Sequence, residues 1–139
     1  MEISRDLLNS IADNLEAGDK CFIHKTTHEI VAYPDDYLLD LDPENNAWQE
    51  DIEKVESDES YTQIEKMSSH EYFDVMAEFA NSVPDRSVKI RLLTALEGRK
   101  PFANFKHEIE NLGYWRDSWF QFRRQKNIDW VANQLADIK

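Results

Sequence analysis

Leu7, Leu8, Ile11 and Leu15 recur at helical spacing behind Ser4, and the run stops at Gly18. Serine is a favoured N-cap and glycine a favoured helix stop, so the chain opens with an amphipathic helix. The period then shortens. Residues 21–24 and 29–33 are β-compatible runs on either side of the polar stretch 25–28, and Pro34 ends the second. This predicts a β-hairpin with a loop of about four residues. Asp42-Pro43 reads as an N-cap with proline at the first helical position, and Trp48, Ile52 and Val55 follow at i, i+4 and i+7. That spacing predicts a short amphipathic helix with an acidic outer face. Residues 61–65 alternate well enough for a third strand.

The rest of the pattern is helical. Ser68 and Glu71 form a capping box ahead of Tyr72, Phe73, Met76, Phe79 and Ala80, and this helix stops near Val83-Pro84. Residues 85–97 turn Val88, Leu92, Leu93 and Leu96 inward and end at Gly98. Residues 101–111 turn Phe102, Phe105, Ile109 and Leu112 inward and end at Gly113. A long final helix from Arg116 to about Ile138 carries Trp119, Phe122, Ile128, Trp130, Val131 and Leu135. Strands come early and helices dominate later. The expected class is therefore α+β, mostly helical, with a small antiparallel sheet (hairpin plus third strand) packed by five or six helices. One domain is expected over 1–139, with the sheet-bearing part in 1–66 and the helical part in 67–139.

Composition sharpens this picture. A chain of 139 residues buries roughly two-thirds of its unfolded surface, and 41% apolar with 12% aromatic residues is ample for a core. Charge is uneven. Residues 1–85 hold 22 acids and 5 bases, whereas 86–139 hold 6 acids and 11 bases, giving −17 and +5 within a total of −12. That total argues against indiscriminate binding to nucleic acid or anionic membranes and leaves a local basic face open. The single cysteine, Cys21, lies in an apolar run and reads as a small buried hydrophobe. The chain shows no secretory pattern and no apolar run near the roughly 20 residues of a membrane span, so a cytoplasmic, membrane-free protein is expected.

Searches for chemistry mostly fail. His24, His28, His70 and His107 form no metal-ligand pair on one helix. His24 and His28 flank the hairpin loop without a local carboxylate or cysteine ligand, a poor zinc site. A calcium loop beginning at Asp40 would place Pro43, Asn45 and Asp51 where that geometry is least forgiving. Acidic residues are too abundant to single out a catalytic pair, and no nucleophile elbow or phosphate-binding glycine loop occurs. No metal and no cofactor are expected, and the balance leans against an enzyme without deciding it. A hydrolase built on His24, His28 and nearby carboxylates is the enzymatic alternative.

One segment has a specific physical argument. Helix-ending Gly98 is followed by Arg99 and Lys100, and Pro101 and Phe102 start the next helix. First-turn N–H groups and the positive end of the helix dipole suit an anion, and two cations stand beside them. Lys106 and Arg116 extend this basic surface, and Arg123, Arg124 and Lys126 add charge. The competing structural reading is that these cations stabilise exposed carbonyls or face the acidic half of the chain. Aromatics interleaved with the bases admit contact with single-stranded nucleic acid. Phe102, Phe105 and Trp119 nevertheless fit core stripes, whereas Trp115 and Phe120 fit them less well and are expected in an exposed patch.

The string Gly98-Arg99-Lys100-Pro101-Phe102, then Phe105-Lys106 and Trp119-Phe120-x-Phe122, resembles the C-terminal signature of a bacterial family of small acidic proteins known only as an uncharacterised protein family. More loosely, the resemblance takes in the hairpin, the acidic middle and the Tyr61 strand. It implies a bacterial, cytoplasmic, single-domain protein, and it brings no established activity, cofactor or catalytic residue. Similar proteins often carry a Thr-Gly-Glu turn where this chain has Thr27-His28-Glu29, which predicts a wider loop. The leading expectation is a non-catalytic binding or adaptor module. It would meet a protein or phosphate-bearing partner through Gly98, Arg99, Lys100, Pro101, Phe102, Lys106, Trp115 and Arg116, or meet a basic protein through the acidic segment. Nucleic acid is the second reading.

Overall fold

The computed structural model describes residues 3–35 and 48–138. The element order is α1 (Arg5–Glu16), β1 (Asp19–His24), β2 (Ile30–Pro34), α2 (Gln49–Ser57), β3 (Tyr61–Ile64), α3 (Ser69–Ser82), α4 (Arg86–Glu97), α5 (Pro101–Glu110) and α6 (Tyr114–Asp137). This is the mostly helical α+β class, with a three-stranded antiparallel sheet. No helix among the described residues is long and apolar enough to cross a membrane. The chain forms two compact units. One comprises Met1–Lys66 and Ile128–Lys139, the other Met67–Asn127.

In the first unit, Ser4 caps α1 by accepting a hydrogen bond from the Leu7 amide at 3.2 Å. Strand order is β2-β1-β3, so β1 is central. Its register pairs Cys21 with Ala32 and Ile64, and Phe22 with Val31. Alternation then sends Cys21 and Ile23 to one face, where they pack with Ile11, Leu15, Ile64, Val131 and Leu135. Phe22 goes to the other face, with Val31, Tyr33, Ile52 and Tyr61. Both faces are therefore apolar, which is why strands this short are held. Burial, reinforced by the nearby Asp19 charge, pushes the Cys21 thiol up to about 12, consistent with a core hydrophobe.

Two expectations in this unit need adjustment, and a third falls outside the described residues. The loop joining β1 and β2 spans five residues, 25–29, because the second arm starts at Ile30. The proposed helix start at Asp42-Pro43, like the Asp40 loop, lies outside the described residues, and α2 is described from Gln49. Trp130 is half-buried: its indole N–H donates to the Glu65 carbonyl at 2.7 Å, beside Gln134, whose side chain exchanges two hydrogen bonds with the Glu65 backbone.

In the second unit, the capping box at Ser68 and Glu71 opens α3, and Asp85 caps α4 through the Val88 amide. Val75, Met76, Phe79, Leu92, Leu96, Phe105, Ile109 and Trp119 fill the core. Leu93 and Leu112 are only half-buried, whereas Ala95, left out of the predicted stripe, is buried. The inward prediction for Phe102 is wrong, since its side chain is 39% exposed. It belongs to the first turn of α5, where the stripe runs past the edge of the packed region. The prediction of an exposed Trp115 and Phe120 is also corrected: both are half-buried against this core. The last helix starts at Tyr114, two residues before the predicted Arg116.

Candidate functional site

The α4–α5 junction has an unusual division of labour. Gly98 ends α4 with extended backbone, φ −84°, so left-handed geometry does not require a glycine there. A Cβ at this position would lie 3.2 Å from the Asn104 amide nitrogen, a tight contact that the Asn104 side chain would have to ease by a few tenths of an ångström. That amide donates to the Arg99 carbonyl at 2.7 Å and reaches the Ala95 carbonyl at 3.5 Å, tying the loop to both helices. Lys100 takes the left-handed conformation instead, φ 57° and ψ 55°. Pro101 opens α5, and no side chain caps its first-turn amides. Arg99, Lys100 and Lys106 are exposed, and among the described residues none has a carboxylate within ion-pair distance.

Beside the junction lies a groove of about 210 Å³, built by three helices of the second unit. On α3, Tyr72 and Met76 sit at i and i+4. On α5, Phe102, Lys106 and Glu110 follow the same step along one face, with Phe105 and Ile109 beneath them. On α6, Trp119 and Arg123 are again one turn apart and Phe120 adjoins them. The walls are interlocked rings. Tyr72 stacks on Phe102 at 6.0 Å, and Phe105 meets Trp119 edge-on at 4.9 Å.

Arg123 is the anomaly of this groove. Its guanidinium carbon lies 5.0 Å from the Phe120 ring and 6.0 Å from the Trp119 ring, and its Nε is shielded from solvent with no hydrogen-bond partner. No carboxylate among the described residues pairs with it. Arg91 shows the contrast. It borders a second hollow, of about 310 Å³, between α4 and α5, where Glu108 accepts from its Nη2 at 2.9 Å and its Nε at 3.2 Å. One arginine is satisfied within the fold and the other is held only by ring faces.

The predicted residues therefore fall into three places. Phe102 and Lys106 line the groove, Gly98, Arg99, Lys100 and Pro101 form the junction, and Trp115 and Arg116 start α6. Trp115 packs edge-on against exposed Tyr114 at 4.8 Å, and the Arg116 guanidinium covers Phe120 at 4.9 Å. Tyr72, Met76, Glu110 and Arg123 lay outside the predicted surface, Tyr72 and Met76 having been assigned to the inward stripe of α3. They sit on stripes that read equally well as core or solvated face.

The hairpin, seat of the enzymatic alternative, is organised differently. His24 Nδ1 accepts from the Thr26 and Thr27 amides, both at 3.1 Å, so the ring carries its proton on Nε2, 3.6 Å from Asp58. Glu29 accepts from Lys54 and from the Tyr61 hydroxyl, and these two bonds, Lys54 first, hold its carboxyl below the usual range. No group of three or more His, Cys, Asp or Glu among the described residues is arranged to bind a metal.

The sequence model of the uncharacterised protein family UPF0158 matches residues 4–138. The chain belongs to the UPF0158 family. A UPF0158 protein of Pseudomonas aeruginosa, PA5073, is 26% identical over 74 residues, which is 53% of this chain and 48% of that protein. The alignment thus spans about half the length of this curated relative. No solved structure matches. In this UPF0158 chain, then, chemistry has to be read from the groove and its neighbours. An aromatic floor with one unpaired planar cation, a flexible lysine and a carboxylate at the rim can hold a ligand, but it offers no nucleophile with an adjacent base.

Proposed function

We propose that this protein is a non-catalytic binding module that holds a protein partner through the groove of its second unit and the basic junction beside it. One observation carries the reading: Arg123 sits in an aromatic groove with no acceptor, although buried and part-buried polar groups are normally paired. Exposed Phe102 supplies an apolar contact at the mouth, and unpaired Arg99, Lys100 and Lys106 supply an acid-seeking border. Aromatic and arginine side chains are the residue types that dominate binding energy at interfaces.

Nucleic acid is the second reading, favoured by the Tyr72–Phe102 ring pair next to these cations and opposed by the net charge of −12. Affinity capture from bacterial lysate tests both, using wild type and the Arg99→Glu, Lys100→Glu double variant, with proteins and nucleic acids identified in the eluates. The expected result is a protein retained by wild type and lost by the folded variant. Identical or empty eluates overturn the module reading, and nucleic acid alone in the wild-type eluate replaces it with the second.

A further inference from the structure

We infer that the groove takes a single bulky apolar side chain, Leu, Phe or Trp, from a partner segment whose flanking residues are acidic. The inference rests on the binding-module reading and names its partner's chemistry. The size of the hollow sets the first limit. At about 210 Å³ it lies below the roughly 300–1,000 Å³ of pockets that enclose drug-sized ligands and cofactors. It suits one anchoring side chain, which is how protein partners commonly use a ring-lined pocket. Exposed Phe102 and part-exposed Tyr72 provide ring surface for such an anchor, above a floor of buried Phe105 and Trp119.

Charge sets the second limit. The Arg123 guanidinium lies over the Phe120 and Trp119 rings with no carboxylate of the described residues paired to it, so a carboxylate that reaches its terminal nitrogens meets a cation the fold has not neutralised. Lys106 stands on the α5 wall, and Lys100 precedes it by six residues, about 9 Å along the helix axis. One chain-terminal carboxylate cannot serve cations so spaced, whereas acidic side chains on both sides of an anchor can. Glu110, one turn beyond Lys106, penalises an unbroken polyanion such as a phosphate backbone and tolerates a segment whose charges are discrete. The larger hollow beside Arg91 lacks this logic, because Glu108 already occupies its arginine.

The test is fluorescence anisotropy with labelled peptides carrying a central Leu, Phe or Trp between two Glu on each side. The same peptides with Lys flanks and an oligothymidine of similar length complete the set. The expected result is saturable binding of at least one Glu-flanked peptide, weakened about tenfold or more by Arg123→Met and by Lys106→Glu and unchanged by Arg86→Ala on α4. Arg123→Met keeps the aliphatic stem, and Lys106 is exposed at the groove edge, so at least one informative variant folds. Equal binding of Lys-flanked peptides, or equal binding by both groove variants, overturns the inference. Oligothymidine binding that the variants abolish, with no peptide binding, assigns the groove to nucleic acid and overturns it too. Silence from all peptides, while lysate capture still yields a protein lost on Arg99→Glu, Lys100→Glu, removes this occupant and leaves the module reading standing. Silence in both assays removes both.

Discussion

His28 holds a left-handed backbone, φ 63°, at the corner of the hairpin. That region costs an L-residue about 1–2 kcal/mol, and glycine enters it freely. The turn is nonetheless closed: the His28 amide donates to the His24 carbonyl and the His24 amide to the Glu29 carbonyl, each at 2.9 Å. The Thr27-His28-Glu29 turn therefore has a glycine-like backbone at its centre and bears its strain locally. His28→Gly is expected to stabilise the protein by about 0.5–1 kcal/mol, after allowing for glycine's extra unfolded-state entropy. A urea titration checks this as a higher midpoint at unchanged slope. A lower midpoint would mean that the imidazole contributes more than its backbone costs. The left-handed requirement at Lys100 was equally invisible in the sequence, because Gly98 two residues earlier looked like its natural bearer.

At the scale of elements, the Glu29 carboxylate joins three of them. It closes the hairpin, takes a proton donor from Lys54 on α2 and another from Tyr61 on β3. Its folded pKa is depressed, chiefly by the Lys54 hydrogen bond and then by Tyr61. The linked stability is therefore present above the ordinary carboxylate pKa and lost as pH falls through the lower, folded value. Glu29→Gln should melt below wild type at neutral pH, and the two melting curves should converge in acid. A gap that stays constant with pH would rule out the ionised carboxylate as its source. The same scale explains what the sequence made legible. Ser4, the Ser68–Glu71 box and the strand alternation around Cys21 act within a few residues, so their consequences can be read in order along the chain. Phe102 could not be placed that way. Helical periodicity says which residues share a face, but not where along the helix its neighbour ends. The groove was legible only in fragments, since Tyr72, Lys106 and Arg123 converge through packing and Arg123 looked like one more surface base.

For the molecule as a whole, the charge asymmetry of the sequence follows the structural division. The first unit holds 20 acids and 6 bases, a net −14, and the second 8 acids and 10 bases, a net +2. An acidic protein can thus carry a groove with two cations, Lys106 and Arg123, without becoming a general polyanion binder. The long helix α6 is common to both units, supplying Trp119 to one core and Val131 and Leu135 to the other. We propose that 1–139 is a single domain. Thermal unfolding is expected to be one transition whose calorimetric and van't Hoff enthalpies agree. Two resolved transitions would make the units independent domains.

The discontinuity of the first unit also sets an order of events at the ribosome. Its sheet, with Ile11, Leu15, Cys21 and Ile23, emerges early but lacks Val131 and Leu135 until the end of α6 has been made. The second unit is one uninterrupted stretch, complete once Asn127 is added. Domains ordinarily fold in the sequence in which they are synthesised. Here one face of the N-terminal sheet, with Val31, Tyr33, Ile52 and Tyr61, has all its residues before the second unit begins, whereas the face built on Cys21 and Ile23 gains Val131 and Leu135 only after that unit is complete.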